Sequence, residues 1–327
     1  MKFANIISIS LCWLMIACSA KSESQQSTNE EPDEMKPRIE FNADSAYRNV
    51  KSQVDCGTRV PGSEGHAKCE KYLIGELKRY GADSILEQKT TVTAFNGDKL
   101  PINNIMGRFN LSAERRVLLL AHWDTRPWAE EDSDESLRKK PIPGANDGGS
   151  GVGVLLEVAR CVQLEKPSIG VDILFVDAED YGQTESSDED TWCLGTQYWV
   201  MNHPYKVGEM PMYGILLDIV GGVDALFHRE VASNQVAKSI VDKVWAMAAL
   251  SGYESVFINE EGGAVMDDHI YVNQAGIPCI DIIESKNAKT QSFPPTWHTH
   301  ADNMSNISRT SLKAVGQTVL NVIYNEK

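Results

Sequence analysis

The chain has 327 residues, a formal net charge of −15 and an isoelectric point near 4.9. A nucleic-acid binder presents a basic face to phosphate, so this balance argues against that class. Much of the acidity falls in three runs, residues 22–34, 130–135 and 185–190, which read as solvated surface.

Residues 1–18 read as an export signal. Lys2 supplies the positive start, residues 4–17 are apolar with only short polar interruptions, and Cys18 follows a small residue. The stretch is too short for a comfortable membrane span. Leu14-Met15-Ile16-Ala17-Cys18 resembles a bacterial lipobox, with Met15 where leucine is usual. Such a signal leaves Cys18 as a lipidated first residue and places the chain in the periplasm on a bacterial membrane; ordinary cleavage that discards Cys18 is the alternative. The polar residues 19–37 read as a flexible tether. Residues 38–327 show no cut point and are expected to form one domain.

Within that domain, Ala67, Tyr72, Leu73, Leu77 and Tyr80 are spaced for a helix over 65–80, stopped by Gly81. Residues 117–121 form an apolar run, as in a strand covered on both faces. A helix over 151–164 follows a glycine-rich turn. Strands are expected at 171–176, 214–217 and 278–283, an amphipathic helix at 235–250 and a last helix at 311–324. Strands alternating with helices predict an α/β fold with a mixed, mostly parallel central sheet and helices on both faces. Once the signal is removed and Cys18 is lipidated, Cys56, Cys69, Cys161, Cys193 and Cys279 remain. This odd number cannot all pair, and which of them pair is not readable. No CxxC or CxxH spacing suggests a thiolate zinc site.

The apolar runs end in ligand-capable residues: His122-Trp123-Asp124 after the first, Asp177-Ala178-Glu179-Asp180 after the second, Asp218 after the third. Parallel α/β sheets bind ligands beyond the carboxyl ends of their strands, so these acids are expected to converge. One such Asp could merely cap the next helix; several, joined by two histidine motifs, point to a site. Asn146-Asp147-Gly148-Gly149-Ser150-Gly151 lets the backbone pass close to a ligand and places Asp147 at a helix N-terminus. It fits neither a GxGxxG nor a P-loop pattern. Val152 stands where a serine nucleophile elbow needs glycine. Glu179-Asp180 can divide the work, one carboxylate binding a metal while the other carries protons. Trp297-His298-Thr299-His300 leaves His298 and His300 as alternative ligands, and Asp267-Asp268-His269 is a further polar knot. No HExxH motif exists, which excludes the zincins.

In this order, the motifs resemble the zinc aminopeptidase clan, and within it the animal-type, zinc-dependent glutaminyl-peptide cyclotransferases and their bacterial relatives. The likeness runs from Ala46 to the C-terminus. Clan aminopeptidases hold two zinc ions, and His122, Asp147, Asp180, Asp218 and His298 stand at all five ligand positions. Three features look like the cyclotransferase branch: Asp267-Asp268-His269 where the aminopeptidases have Ser-Asp-His, Trp297 beside the last ligand, and Leu217-Asp218 followed by Ile219-Val220-Gly221. Departures are Asp180, where the animal enzymes carry glutamate, and Met266, where they carry glutamine. Being one methylene shorter, Asp180 needs a metal closer to its strand.

The resemblance implies a zinc aminopeptidase-like fold holding one zinc ion on Asp147, Asp180 and His298. It implies Glu179 as the proton-transfer residue, and Asp218 and Asp267 as hydrogen-bonded acids beside the substrate. Trp297 and Trp192 become aromatic walls of the pocket. The implied reaction closes an N-terminal glutamine of a peptide or protein into pyroglutamate and releases ammonia. A monomer is expected. The rivals are a di-zinc metalloaminopeptidase on the same fold and a non-catalytic, receptor-like lipoprotein, against which the intact Glu179 and ligands count.

Overall fold

The computed structural model describes residues 38–184, 189–206 and 208–326. The expected export signal, lipobox and tether lie outside them, as do residues 185–188 of the third acidic run. Two helices open the chain, α1 (Ala43–Asp55) and α2 (Glu64–Arg79). Each starts on a side chain that accepts an otherwise orphan amide, Asn42 from Ser45 N and Ser63 from His66 N. A long hairpin follows, β1 (Ser84–Thr93) and β2 (Lys99–Phe109). The chain continues through β3 (Arg116–His122), α3 (Ser150–Leu164), β4 (Gly170–Val176), α4 (Leu194–Asn202) and β5 (Gly214–Leu217). After these come β6 (Phe227–Arg229), α5 (Val231–Val236), α6 (Lys238–Leu250), β7 (Phe257–Glu261), α7 (Asp268–Gln274), β8 (Cys279–Ile282) and α8 (Arg309–Asn325).

Six strands form one sheet in the order β1-β2-β4-β3-β5-β8. The hairpin joins β4 antiparallel, while β4, β3, β5 and β8 run parallel. This is the mixed, mostly parallel sheet that the alternation of elements predicts. β6 and β7 pair separately.

Strand alternation divides the core. Leu119, Ala121, Ile173, Phe175, Ile215 and Leu217 point to one face, where they pack with α1, α3, α6 and α8. Leu118, Leu120, Leu174, Val176 and Leu216 point to the other, against Trp199 of α4 and Val272 of α7. Each large aliphatic side chain so buried contributes roughly 1.5–3 kcal/mol. Asp172, the polar exception in β4, is fully buried but held by Arg108 Nε at 3.1 Å, Arg116 Nε at 2.7 Å and the Tyr205 hydroxyl at 2.9 Å.

Two expectations need correction. The helix expected over 235–250 is broken at Ala237, where φ −128° and ψ 36° leave the helical region, so α5 and α6 are separate. The run 130–135 is not simply solvated surface: Asp132 is buried and accepts the His300 amide, and Glu130 binds His298.

The N-terminus of α3 lies hard against the end of β5. A Cβ on Gly151 would stand 2.1 Å from the Leu217 carbonyl oxygen, so only glycine lets the helix approach so closely. Gly151→Ala should therefore destabilise the protein by about 1–3 kcal/mol, the usual cost of overpacking. Gly75, exposed within α2 with open space where a Cβ would stand, is the control: Gly75→Ala should stabilise by roughly 0.5–1 kcal/mol. Thermal denaturation of the two variants checks both signs.

Candidate active site

The parallel strands β3, β4 and β5 end together, at His122, just before Asp177, and just before Asp218. Asp147 arrives from the loop ahead of α3, Asp267 caps α7, and the segment after β8 carries Trp297 and His298. Asp147, Asp180 and His298 are all buried, and one donor atom from each lies within 4.8 Å of the others. His298 Nε2 is 3.2 Å from Asp180 Oδ1 and 3.8 Å from Asp147 Oδ2. A second group shares Asp147: His122 Nε2 is 3.1 Å from both Asp147 Oδ1 and Asp218 Oδ1. Asp147 thus stands between two donor sets.

The first set fits a zinc ion. Two carboxylates and an imidazole are suitable donors. Asp180 Oδ2 is buried with no hydrogen-bond partner, a costly condition that a cation relieves. His298 Nδ1 lies 3.1 Å from Glu130 Oε1, which turns Nε2 toward the acids, as carboxylates behind metal-bound imidazoles do. His300, the alternative ligand, instead faces Asp132 at 3.1 Å.

The loops are held from behind by other acids of the same motifs, and by Arg126 and His66, which the sequence did not single out. The Asp124 carboxylate accepts the amides of Glu179 and Asp180 at 3.1 and 3.2 Å. Asp302 does the same for Asn146 and Asp147 at 2.7 and 3.1 Å. Asp124 is one of the ligand-capable residues expected at the strand ends, and Asp302 follows His298 by four residues; that both hold backbone amides was not readable. Arg126 is buried, donates to the carbonyls of Asp180 and Gly182 and to Glu130, and lies 4.6 Å from the Trp192 ring centre. Asp177 accepts from His66 Nε2 at 2.9 Å, from Asn103 N at 2.7 Å and from Ala178 N at 2.9 Å. Backbone strain gathers here as well: Ala178, Cys193, Ile219 and His298 have φ of 48°, 55°, 50° and 52°. Left-handed backbone is uncommon outside glycine and a real outlier for β-branched Ile219.

The carboxyls are crowded. Burial pushes the Glu179 carboxyl well above its ordinary value; His122 pulls it back, while Asp267, Asp180 and Asp268 push it further. Burial likewise raises Asp218 and Asp267, and carries Asp268 to about 7. His298 rises to about 9: burial acts against its charged form, but Asp180 and Glu130 outweigh it. Glu179 Oε1 accepts from the Cys193 thiol at 3.6 Å, and a Glu179 oxygen lies within 4.8 Å of one on Asp267. Asp267 Oδ1 accepts the Asp268 amide at 2.5 Å, while Oδ2 is buried without a partner.

These groups open onto a cavity of about 210 Å³ whose lining includes Asp147, Glu179, Asp180, Asp218, Asp267 and His298. Trp192, Phe293 and Trp297 form its aromatic side. Trp297 stacks on His298 with ring centres 3.6 Å apart, and Trp192 lies parallel to His298 at 6.3 Å. The three expected zinc ligands, the three expected acids and both expected tryptophans thus meet at this one cavity. It is smaller than the roughly 300–1,000 Å³ of sites for drug-sized ligands, a scale that suits one amino-acid residue.

Residues 104–323 match the family model of peptidase family M28. Among solved structures, a Tannerella forsythia glutaminyl cyclase is 51% identical, with 88% of this chain and 100% of that one covered and a TM-score of 0.85. A Bacteroides thetaiotaomicron glutaminyl cyclase is 49% identical, with 88% and 99% covered and the same TM-score. A Zn-dependent exopeptidase from Parabacteroides distasonis is 50% identical over the same shares, again at 0.85.

Two sets of variants test the donor assignment. Asp180→Ala and His298→Ala should lose bound zinc after dialysis while keeping the native circular dichroism spectrum; full metal content in either would overturn it. Asp302→Asn turns an amide donor toward a backbone N–H and should weaken zinc affinity about 10–100-fold, the usual effect of losing a supporting group. A competitive chelator titration reads that change.

Proposed function

The chain belongs to peptidase family M28, and on that premise we infer that it is a glutaminyl cyclase. It converts the N-terminal glutamine of a peptide to pyroglutamate and releases ammonia. The observation that carries the reading at the level of residues is Asp267, which lines the one-residue cavity with Glu179 and has one carboxylate oxygen, Oδ2, buried without a partner. In ring closure the substrate's α-nitrogen bonds to its own side-chain carbonyl carbon, the bond from that carbon to the amide nitrogen breaks, and one proton moves between the two nitrogens. A single carboxylate reaching both nitrogens can serve both transfers.

We assign that task to Glu179. Its raised affinity for a proton, set by burial and the neighbouring acids, suits a group that takes a proton from an amine and returns it to a leaving amine. Asp267 Oδ2 would accept from the side-chain amide N–H and orient the leaving nitrogen. Asp218, held by the Ile219 amide at 2.8 Å and by His122, would stand beside it as a second hydrogen-bonding acid. Trp192, Phe293 and Trp297 would pack along the glutamine methylenes and exclude water. Asp147, Asp180 and His298 would hold one zinc ion, which when bound supplies a Lewis acid for the side-chain carbonyl. Because the nucleophile and the carbonyl belong to one residue, most of the work is orientation.

The second donor set, His122, Asp147 and Asp218, favours one rival: a di-zinc aminopeptidase on this scaffold. We further propose that the enzyme acts as a monomer on N-terminal glutamine of exported peptides and proteins, carried by a cleaved signal and anchored through lipid on Cys18. Among the described residues no helix is long and apolar enough to cross a membrane.

Mass spectrometry of a Gln-initiated peptide separates the readings. A glutaminyl cyclase shortens nothing, releases ammonia and stops when zinc is chelated; an aminopeptidase releases free amino acid and carries two ions per chain. Glu179→Gln should retain zinc and fold and lose about 10²–10⁴-fold in kcat, the share of general acid–base catalysis. Near-normal turnover would remove Glu179 from the mechanism.

A further inference from the structure

The described residues include Cys56, Cys69, Cys161, Cys193 and Cys279, all present as thiols. Cys161, Cys193 and Cys279 are buried, and burial pushes each thiol up. Cys56 and Cys69 differ because they meet. Cys56 ends α1, and Cys69 faces the core from α2. Gly65 brings the two helices together: a Cβ there would lie 2.3 Å from Thr58 O and 3.1 Å from Cys56 O, so the start of α2 rests directly on the backbone after α1. Cys69 stands four residues on from Gly65, on the same helical face. Cys56 packs against the core cluster that includes Cys69, and Cys56 Sγ reaches Ser52 O at 3.2 Å.

We propose that Cys56 and Cys69 are a redox-active thiol pair that closes to an intramolecular disulfide in the presence of a low-molecular-weight disulfide oxidant. The Cys56 thiolate attacks one sulfur of the oxidant, forming a mixed disulfide and releasing one thiol. Cys69 then loses its proton and attacks the Cys56 sulfur, releasing the second thiol. Two electrons pass from the pair to the oxidant.

The two cysteines are unequal in the way such a sequence requires. Cys56 is half-buried and within reach of an oxidant, whereas Cys69 has no exposed surface. The neighbouring Cys69 thiol lowers the Cys56 thiol to about 7, with Arg59 and Lys68 assisting against burial. Burial, then the Cys56 partner, holds Cys69 well above the ordinary thiol range. The attacking thiol is thus the accessible and ionised one, as thiol–disulfide exchange favours.

The bond would close a loop that carries Arg59. This buried guanidinium donates to Trp123 O at 2.8 Å, Pro143 O at 3.0 Å and Gly144 O at 2.5 Å, bracing the segment that leads to Asp147. Tying Cys56 to Cys69 restrains the unfolded chain around that brace, so the oxidised protein should melt at a higher temperature.

The test is to incubate the purified enzyme with oxidised glutathione at pH 8, alkylate remaining thiols and map the peptides by mass spectrometry. The expected result is a Cys56–Cys69 cross-linked peptide that dithiothreitol removes, with a Tm several degrees above that of the reduced protein. Cys56→Ser should give no cross-link and no oxidant-dependent Tm change. Recovery of both cysteines alkylated after wild-type oxidation, or of Cys56 stably glutathionylated beside free Cys69, would overturn the proposal.

Discussion

Buried negative charge is the constraint around which this molecule is built. Asp147, Glu179, Asp180, Asp218 and Asp267 crowd the ends of the parallel strands, with Asp124 and Asp302 directly behind. An unpaired carboxylate in a protein interior costs several kcal/mol or takes up a proton. The fold answers in three ways. Backbone amides are presented in consecutive pairs to Asp124 and to Asp302. Cationic side chains are threaded inward, Arg126 beside Asp180 and His298 between Asp180 and Glu130. Protons are retained longer than usual on Glu179, Asp218 and Asp267, chiefly because of burial. Among the five acids at the strand ends, one oxygen of Asp180 and one of Asp267, Oδ2 in each, are buried without a partner, and Asp268 and Asp281 behind them are likewise unpartnered. The Asp180 oxygen belongs to the zinc donor set we assign, and Asp267 lines the cavity.

That arrangement depends on close packing far from any reacting atom. Glycine at 151 lets α3 begin against the Leu217 carbonyl, which draws the Asp147 loop toward Asp218. Gly195 does the same for α4, where a Cβ would lie 2.0 Å from Asp177 O. The turns between these contacts run through left-handed backbone at Ala178, Ile219 and His298, each costing about 1–3 kcal/mol. Such strain persists only where surrounding structure over-determines it. Here the local restraints are visible: Asp177 takes the Ala178 amide, and Asp218 takes the Ile219 amide. The two-faced hydrophobic core supplies the remaining stabilisation.

The central strands and the long helices were legible because continuous apolar runs and 3.6-residue spacing survive burial on both faces. The acids at the strand ends were legible for a related reason: a polar residue directly after such a run sits at the carboxyl end of a buried strand, where parallel sheets bind ligands. The edge hairpin was not, since β1 carries Gln88, Lys89, Thr90 and Thr91 half in water and β2 buries Asn103 and Asn104. α1 lacked a clean signal because Ser45, Asn49 and Gln53 face inward among its buried residues. The supporting residues were hidden for a deeper reason. His66 and Glu130 act on Asp177 and His298 across 111 and 168 residues of chain, and no local pattern records a contact at that separation. The run containing Glu130 read as surface acid because charge density alone cannot distinguish a solvated carboxylate from one aimed at an imidazole.

The same scaffold serves hydrolysis and cyclisation in proteins similar to this one, and the physical difference lies in where the nucleophile comes from. A peptidase must admit, bind and deprotonate a water molecule beside its metal. In ring closure the substrate brings its own amine, and water is a competitor to be kept out. The cavity here has the second character. Trp297 lies flat on the imidazole of His298, Phe293 stacks on Trp297 at 4.6 Å, and Trp192 closes in from the segment before α4, braced by Arg126. Aromatic faces packed around the proposed zinc donors leave about 210 Å³, sized for a single residue. Within that space a glutamine side chain has few ways to lie, and folding its amine onto its carbonyl keeps it compact. In the mechanism we propose, the aromatic wall and the crowded carboxylates therefore act on the same quantity: the wall would limit the conformations from which the ring must close, and Glu179 and Asp267 would lower the barrier once it is poised.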